Sequence, residues 1–258
     1  MSLLSFHEIG NSSGQPLLFL HGLGASFKQT TSALTDLPGI RLIAPDMPGH
    51  GESLDFDPET FSFDSFADHV ITLLDHLGIE STDLGGLSMG SGIALNLALR
   101  YPERIKKIIV LRPSWLDSVE PEHLHLVARV GQWLKEFGED TTTQKLAMHP
   151  DYQTLVEENV SVATSLTALL DRPRDAASTE VLFRMWQSRP FENISSLRQI
   201  GKPALVLDTT RDELHPQSIA QKIADQITDG QVITLPPRYY EETAYKNLLN
   251  ESFRNFLL

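Results

Sequence analysis

The stretch Ser81-Thr82-Asp83-Leu84-Gly85-Gly86-Leu87-Ser88-Met89-Gly90-Ser91-Gly92 decides how this chain is read. Within it, Gly86-Leu87-Ser88-Met89-Gly90 matches G-x-S-x-G, a pattern common by chance whose context gives it meaning. A short strand-like run precedes it, and Ile93 to Leu99 follows with good helix formers at apolar spacing. Strand, sharp turn and helix form the setting in which a serine stands exposed at the top of a sheet. The turn forces an unfavourable backbone conformation on Ser88, so its close neighbours must be small, and Gly86 and Gly90 meet that need. Ser88 would stand at a helix N-terminus, where free N–H groups and the helix dipole favour developing negative charge. The competing reading is a buried glycine-rich turn without chemistry.

Working outward, Pro16 to Leu20, Arg41 to Pro45, Ile105 to Leu111, Pro203 to Leu207 and Gln231 to Leu235 are short apolar runs, as expected of strands buried on both faces of a parallel sheet. Leu3 to Ile9 reads as a short alternating strand, Phe63 to Leu77 as a helix ended by Gly78, and Tyr245 to Leu258 as a closing amphipathic helix. Pro216 is expected to open a helix ending near Thr228. Alternating strands and helices imply a mostly parallel sheet with right-handed crossovers and helices on both faces. The alternation stops at Arg112-Pro113. From there to about Arg198 every segment reads as helix: Glu122 to Phe137, Thr141 to Met148, Tyr152 to Leu170 and Ala176 to Gln187, with a break at Asp171-Arg172-Pro173-Arg174. The expected organisation is an α/β core over 1–112 and 199–258 with a helical lid over 113–198.

Three motifs follow the first three buried strands in order: His21-Gly22-Leu23-Gly24, Asp46-Met47-Pro48-Gly49-His50-Gly51-Glu52-Ser53, and Gly86-Leu87-Ser88-Met89-Gly90. Together they resemble the alpha/beta-hydrolase superfamily, specifically its small, esterase-like, lid-bearing members, over almost the whole chain. The resemblance implies Ser88 as nucleophile and the backbone N–H groups of Met89 and Leu23 as the oxyanion hole. It places the acid at Asp212, after the strand that ends at Leu207; Asp208 and Glu213 are nearby competitors. It gives His21 and His50 structural roles in loops beneath the site.

One feature of the family is missing. Its catalytic histidine follows the last strand, typically as Gly-His, but here Leu235 leads into Pro236-Pro237-Arg238-Tyr239-Tyr240-Glu241-Glu242, and no histidine occurs after His215. A serine hydroxyl is a weak nucleophile without an adjacent base, and a neutral tyrosine is a poor one. Tyr239 or Tyr240 is expected to fill the vacated space, with its ring at the pocket and its hydroxyl bonded. His215 is the replacement candidate. An acid and a base three residues apart need a particular loop shape, and the sequence favours reading His215 as a histidine flanking the helix start at Pro216. His123 and His125 sit in the lid, His149 at a helix end, and His69 and His76 on a solvated helix; none has metal spacing. Arg112 ends a buried strand at the edge where ligands bind, so it either pairs with a carboxylate or reaches for an anionic ligand. Trp115, Trp133, Phe137 and Trp186 are expected to line an apolar pocket.

Composition narrows the partners. With 21 basic and 34 acidic residues the net charge is −13, which disfavours nucleic acid and anionic membranes. There is no cysteine, so disulfides and thiolate chemistry are excluded. The N-terminus lacks the basic region and apolar run of a secretory leader, and no stretch approaches a membrane span, so a cytoplasmic protein is expected. A small-molecule substrate and no cofactor are expected. The function expected is hydrolysis of a small carboxylic ester or related acyl substrate. The alternatives are a non-catalytic small-molecule-binding relative and a lyase-type reaction in the same pocket.

Overall fold

The computed structural model describes residues 2–35, 37–171 and 176–258. Seven strands form one sheet: β1 (Phe6–Gly10), β2 (Gln15–Leu20), β3 (Ile40–Pro45), β4 (Thr82–Leu87), β5 (Ile105–Leu111), β6 (Ala204–Thr209) and β7 (Gln231–Leu235). Their order is β1-β3-β2-β4-β5-β6-β7; only β1 is antiparallel to its neighbour. The helices are α1 (Phe27–Ala33), α2 (Phe63–His76), α3 (Met89–Arg100), α4 (His125–Ala147), α5 (Pro150–Glu158), α6 (Val160–Thr167), α7 (Ala176–Trp186), α8 (Gln217–Ala224) and α9 (Glu242–Leu257).

The strands show no polar–apolar alternation because both faces are covered. Leu18 and Leu20 pack with Phe63, Phe66, Val70 and Ile93, on the side of α2 and α3. Leu17 and Phe19 point the other way, toward Leu34, Tyr245, Leu249 and Phe253, on the side of α9. Both sets are buried. Burying one such side chain stabilises the fold by roughly 1.5–3 kcal/mol relative to exposure.

Between β5 and β6 the described residues hold helices and no strand, as the sequence implies. The span His125 to Ala147 is two helical pieces, as expected, meeting at Gly138, whose φ of 74° and ψ of −176° are not helical. One boundary differs. The segment expected as one helix over Tyr152 to Leu170 is divided at Asn159, whose non-helical backbone, at φ −146° and ψ 84°, separates α5 from α6. Of the expected break at Asp171-Arg172-Pro173-Arg174, all but Asp171 lies outside the described residues. Among the described residues no helix is long and apolar enough to cross a membrane.

The chain leaves β2 for β3 on one side and enters β4 on the other. The loops after β2 and β4 therefore diverge, and a crevice opens at the carboxyl ends of the strands.

Candidate active site

Ser88 stands between the last residue of β4 and the first of α3, at φ 56° and ψ −112°. Its N–H still donates to Leu111 O at 2.9 Å, the last rung of the ladder, before the backbone turns sharply into the helix. Backbone held in such a region costs about 1–3 kcal/mol, so the surroundings must enforce it. The enforcement is close packing. A Cβ on Gly86 would lie 2.1 Å from the carbonyl carbon of Gly90, and one on Gly90 would lie 2.3 Å from Leu20 O. Arg112 repeats the device at the end of β5: its N–H donates to Leu207 O at 2.7 Å and its φ is 47°.

Two histidines hold the neighbouring loop. His21 Nε2 accepts from the N–H of Met47 at 3.0 Å, and His50 Nε2 accepts from the N–H of Gly24 at 3.0 Å. Gly22 N–H donates to Gln29 Oε1 at 2.8 Å. Asp46 accepts from the N–H groups of Phe27 and Glu52, tying the second motif to the first. Among the described residues the N–H of Leu23 meets no acceptor, and neither does that of Met89 in the first turn of α3.

A cavity of about 400 Å³ lies over Ser88, lined by the loop Gly22 to Ala25, by Leu87, Arg112, Trp115, Leu214, His215, Arg238 and Tyr239, and by Leu124, Val127, Leu166 and Leu169 from the helical insertion. Three of the sequence-predicted residues meet here: Ser88 and His215 share the cavity, and Asp212 stands behind His215. His215 Nδ1 is 2.9 Å from Asp212 Oδ1. The other oxygen, Oδ2, accepts from Arg112 Nη2 at 2.6 Å. Asp208 and Glu213 are occupied elsewhere, with Gln217 and Asn159 respectively.

Charge decides the tautomer. Burial pushes the His215 pKa below that of a free imidazole against the attraction of Asp212, and the Arg112 charge adds to that lowering. A neutral ring whose Nδ1–H donates to Asp212 leaves Nε2 as the lone acceptor. Arg112 Nη2, 3.1 Å from the same Nδ1, then donates to the carboxylate rather than to the ring. Burial alone would raise the Asp212 pKa, but His215 and Arg112 hold it well below the usual carboxylate range. Burial works against the Arg112 charge, yet Asp212 more than restores it, and the Tyr245 phenol beside it adds to that.

The structure does not join His215 to Ser88. Ser88 Oγ is 3.2 Å from Ser114 Oγ, which donates to Leu214 O at 2.7 Å. Ser88 is therefore the donor to Ser114. Nothing in the sequence marked Ser114, which reaches the site only because the chain turns at Arg112. Tyr239 meets the expectation in part, with its ring at the pocket and its hydroxyl bonded, and Tyr240 does not. Tyr239 lines the cavity with its hydroxyl 3.1 Å from Ser165 Oγ but is 41% exposed, and Tyr240 is 45% exposed beside Arg211. The turn after Pro237 is closed by Tyr240 N–H and Glu241 N–H on Pro237 O, and the Tyr240 ring lies outside the cavity. Of the four aromatics expected at the pocket only Trp115 lines it; Phe137 is 41% exposed, and Trp133 and Trp186 pack elsewhere. His69 is half-buried against Phe56 rather than solvated. Among the described residues no group of three or more His, Cys, Asp or Glu could hold a metal ion.

Known proteins share this arrangement of strands and helices. The chain is 27% identical over 236 residues to the 2-hydroxymuconate semialdehyde hydrolase of Pseudomonas sp. (strain CF600), covering 88% of this chain and 80% of that one. It is 26% identical over 236 residues to Lipase 3 of Moraxella sp. (strain TA144), covering 89% and 73%. The structure of a thermophilic esterase from Thermogutta terrifontis superposes with a TM-score of 0.72 at 23% identity, over 98% of this chain and 93% of that one. The enol-lactonase from Burkholderia xenovorans LB400 also gives 0.72, at 17% identity, over 98% and 96%. The family model for the alpha/beta hydrolase fold matches residues 15–159, more than half the chain, a span that takes in β2 to β5 and Ser88. With its sheet order, its strained serine and this match in agreement, the chain belongs to the alpha/beta hydrolase family.

Proposed function

We propose that this protein is a serine hydrolase acting on a small carboxylic ester or related acyl substrate, with Ser88 as nucleophile, His215 as general base and Asp212 as its orienting acid. The observation that carries the reading is the Asp212–His215 contact at 2.9 Å, in the wall of the cavity that Ser88 opens into. The base comes from the loop after β6, three residues past the acid, instead of from the loop after β7. The helical segment 113–198 acts as the lid over that cavity.

In this reading Ser88 Oγ turns from Ser114 to His215 Nε2 when substrate binds; unliganded sites often hold catalytic hydrogen bonds loosely. Nε2 takes the hydroxyl proton as Oγ bonds to the carbonyl carbon. The oxyanion that forms is held between the N–H groups of Leu23 and Met89, and removing one such donor typically costs about 2.7–4 kcal/mol of transition-state stabilisation. Collapse breaks the ester bond, and the leaving alkoxide takes the proton from Nε2. Water, deprotonated by the same nitrogen, then attacks the acyl carbon; the bond to Ser88 Oγ breaks, Oγ takes the proton back from Nε2, and the acid is released. Asp212 keeps the proton on Nδ1 throughout, and Arg112 keeps Asp212 ionised.

The test is turnover of 4-nitrophenyl acetate with trapping of acyl-enzyme. The expected result is turnover with acetyl on Ser88, both absent in Ser88→Ala. Turnover that survives Ser88→Ala contradicts the reading. A second reading, a pocket that binds without turnover, is favoured by the Ser88–Ser114 contact and predicts no acyl-enzyme from folded protein.

A further inference from the structure

We infer that the substrate is an anion: an ester whose acyl or alcohol part carries a carboxylate, met by Arg238 and Lys28 in the cavity wall. The inference rests on the reading of Ser88 as the reacting group but is tested apart from it.

The observation is one of charge distribution. The chain has 34 acidic residues against 21 basic, so an arbitrary patch of it is acidic. The cavity is the reverse: its described lining includes Lys28, Arg112 and Arg238 and no carboxylate. Asp212, behind the wall, balances one of these charges through its pair with Arg112. Arg238 and Lys28 form no ion pair among the described residues, although the Glu242 carboxylate feels the Arg238 charge. Arg238 lies over the Tyr239 ring with its guanidinium carbon 5.2 Å from the centroid, and its charge reaches His215. It therefore stands near the reacting end of the cavity.

Cations left unbalanced against an apolar wall draw anions in and hold them more strongly than the same charges do in water. A guanidinium fork fits a carboxylate with two hydrogen bonds. The rest of the wall, including Trp115, Leu124, Val127, Leu166 and Leu169, suits a short hydrocarbon body, and a volume of about 400 Å³ limits the ligand to a small molecule. The ligand class is thus a short monoester of a dicarboxylic acid or a comparable anionic acyl compound.

The experiment compares 4-nitrophenyl hydrogen glutarate with 4-nitrophenyl valerate, which have the same acyl length and differ by the carboxylate. The expected kcat/KM ratio favours the anion by about tenfold, the worth of one charge-assisted hydrogen bond. The ratio falls as salt screens the partly exposed cations, and it drops toward one in Arg238→Gln and in Lys28→Gln. A ratio at or below one, or one that neither variant changes, overturns the inference. Calorimetry of glutarate with Ser88→Ala separates the two claims. Arg238-dependent binding, with no turnover of either ester by the native protein, upholds the anion site and overturns the hydrolase reading. No glutarate binding, while Ser88 is acylated by the neutral ester, does the opposite.

Discussion

At the scale of single residues, the site turns on what Arg112 does to its neighbours. Its guanidinium, 2.6 Å from Asp212 and 3% exposed, is half of a buried ion pair. Removing one partner of such a pair strands the other charge, so Arg112→Met is expected to destabilise the fold by about 3 kcal/mol or more, measured by denaturant unfolding. His215 gives the pH dependence. Burial pushes its pKa below the ordinary value, helped by the charges of Arg112 and Arg238, while Asp212 pulls the other way. A base must be neutral, so acylation of Ser88 should stay constant on acidification through about pH 6.5, where a free imidazole protonates, and fall only below it. A fall centred at or above that value contradicts the neutral, buried ring. Stability follows the same sign. The unfolded imidazole binds its proton first as pH drops, so the His215 contribution is full above about pH 6.5 and is lost as pH falls toward the lowered folded pKa.

At the scale of elements, the strand–turn–helix around Ser88 was legible because each requirement is local. Gly86 and Gly90 lie where a methyl group would enter the backbone, within 2.1 Å and 2.3 Å of their nearest neighbours. Gly86→Ala should therefore cost roughly 3 kcal/mol and abolish acylation, since a backbone clash cannot relax as an overpacked side chain can. The Asp212–His215 turn was not legible, because whether residues three apart face each other across a loop depends on a backbone that no local pattern specifies. The loop after β7 was legible only in part for the same reason. Tyr239 or Tyr240 was expected near the position of the family's histidine; Tyr239 lines the cavity, whereas the Tyr240 ring is exposed beside Arg211, and the Asp212 carboxylate is already shared by Arg112 and His215. Tyr240→His is accordingly expected to leave ester turnover unchanged; a large increase would mean that the base at His215 is not functional.

At the scale of the whole molecule, the parallel sheet could be read from sequence and the cavity could not. Apolar runs alternating with helices specify a parallel sheet, and the divergence of the chain at β2 and β4 puts the motif loops at one edge. The wall, in contrast, is assembled from α1, from the ends of β4 and β5, from the insertion and from the loops after β6 and β7, and its positive lining in an acidic chain emerges only when these meet. The central claim is that His215 activates Ser88. It is tested most directly by the rate at which a fluorophosphonate labels Ser88 near pH 7.5 in the native protein and in His215→Ala, with circular dichroism confirming that both are folded. The account predicts rapid labelling of the native serine and a loss of about 100-fold or more in the variant, the range expected for removing a general base. Equal labelling in both proteins would contradict it, as would a native serine that does not react.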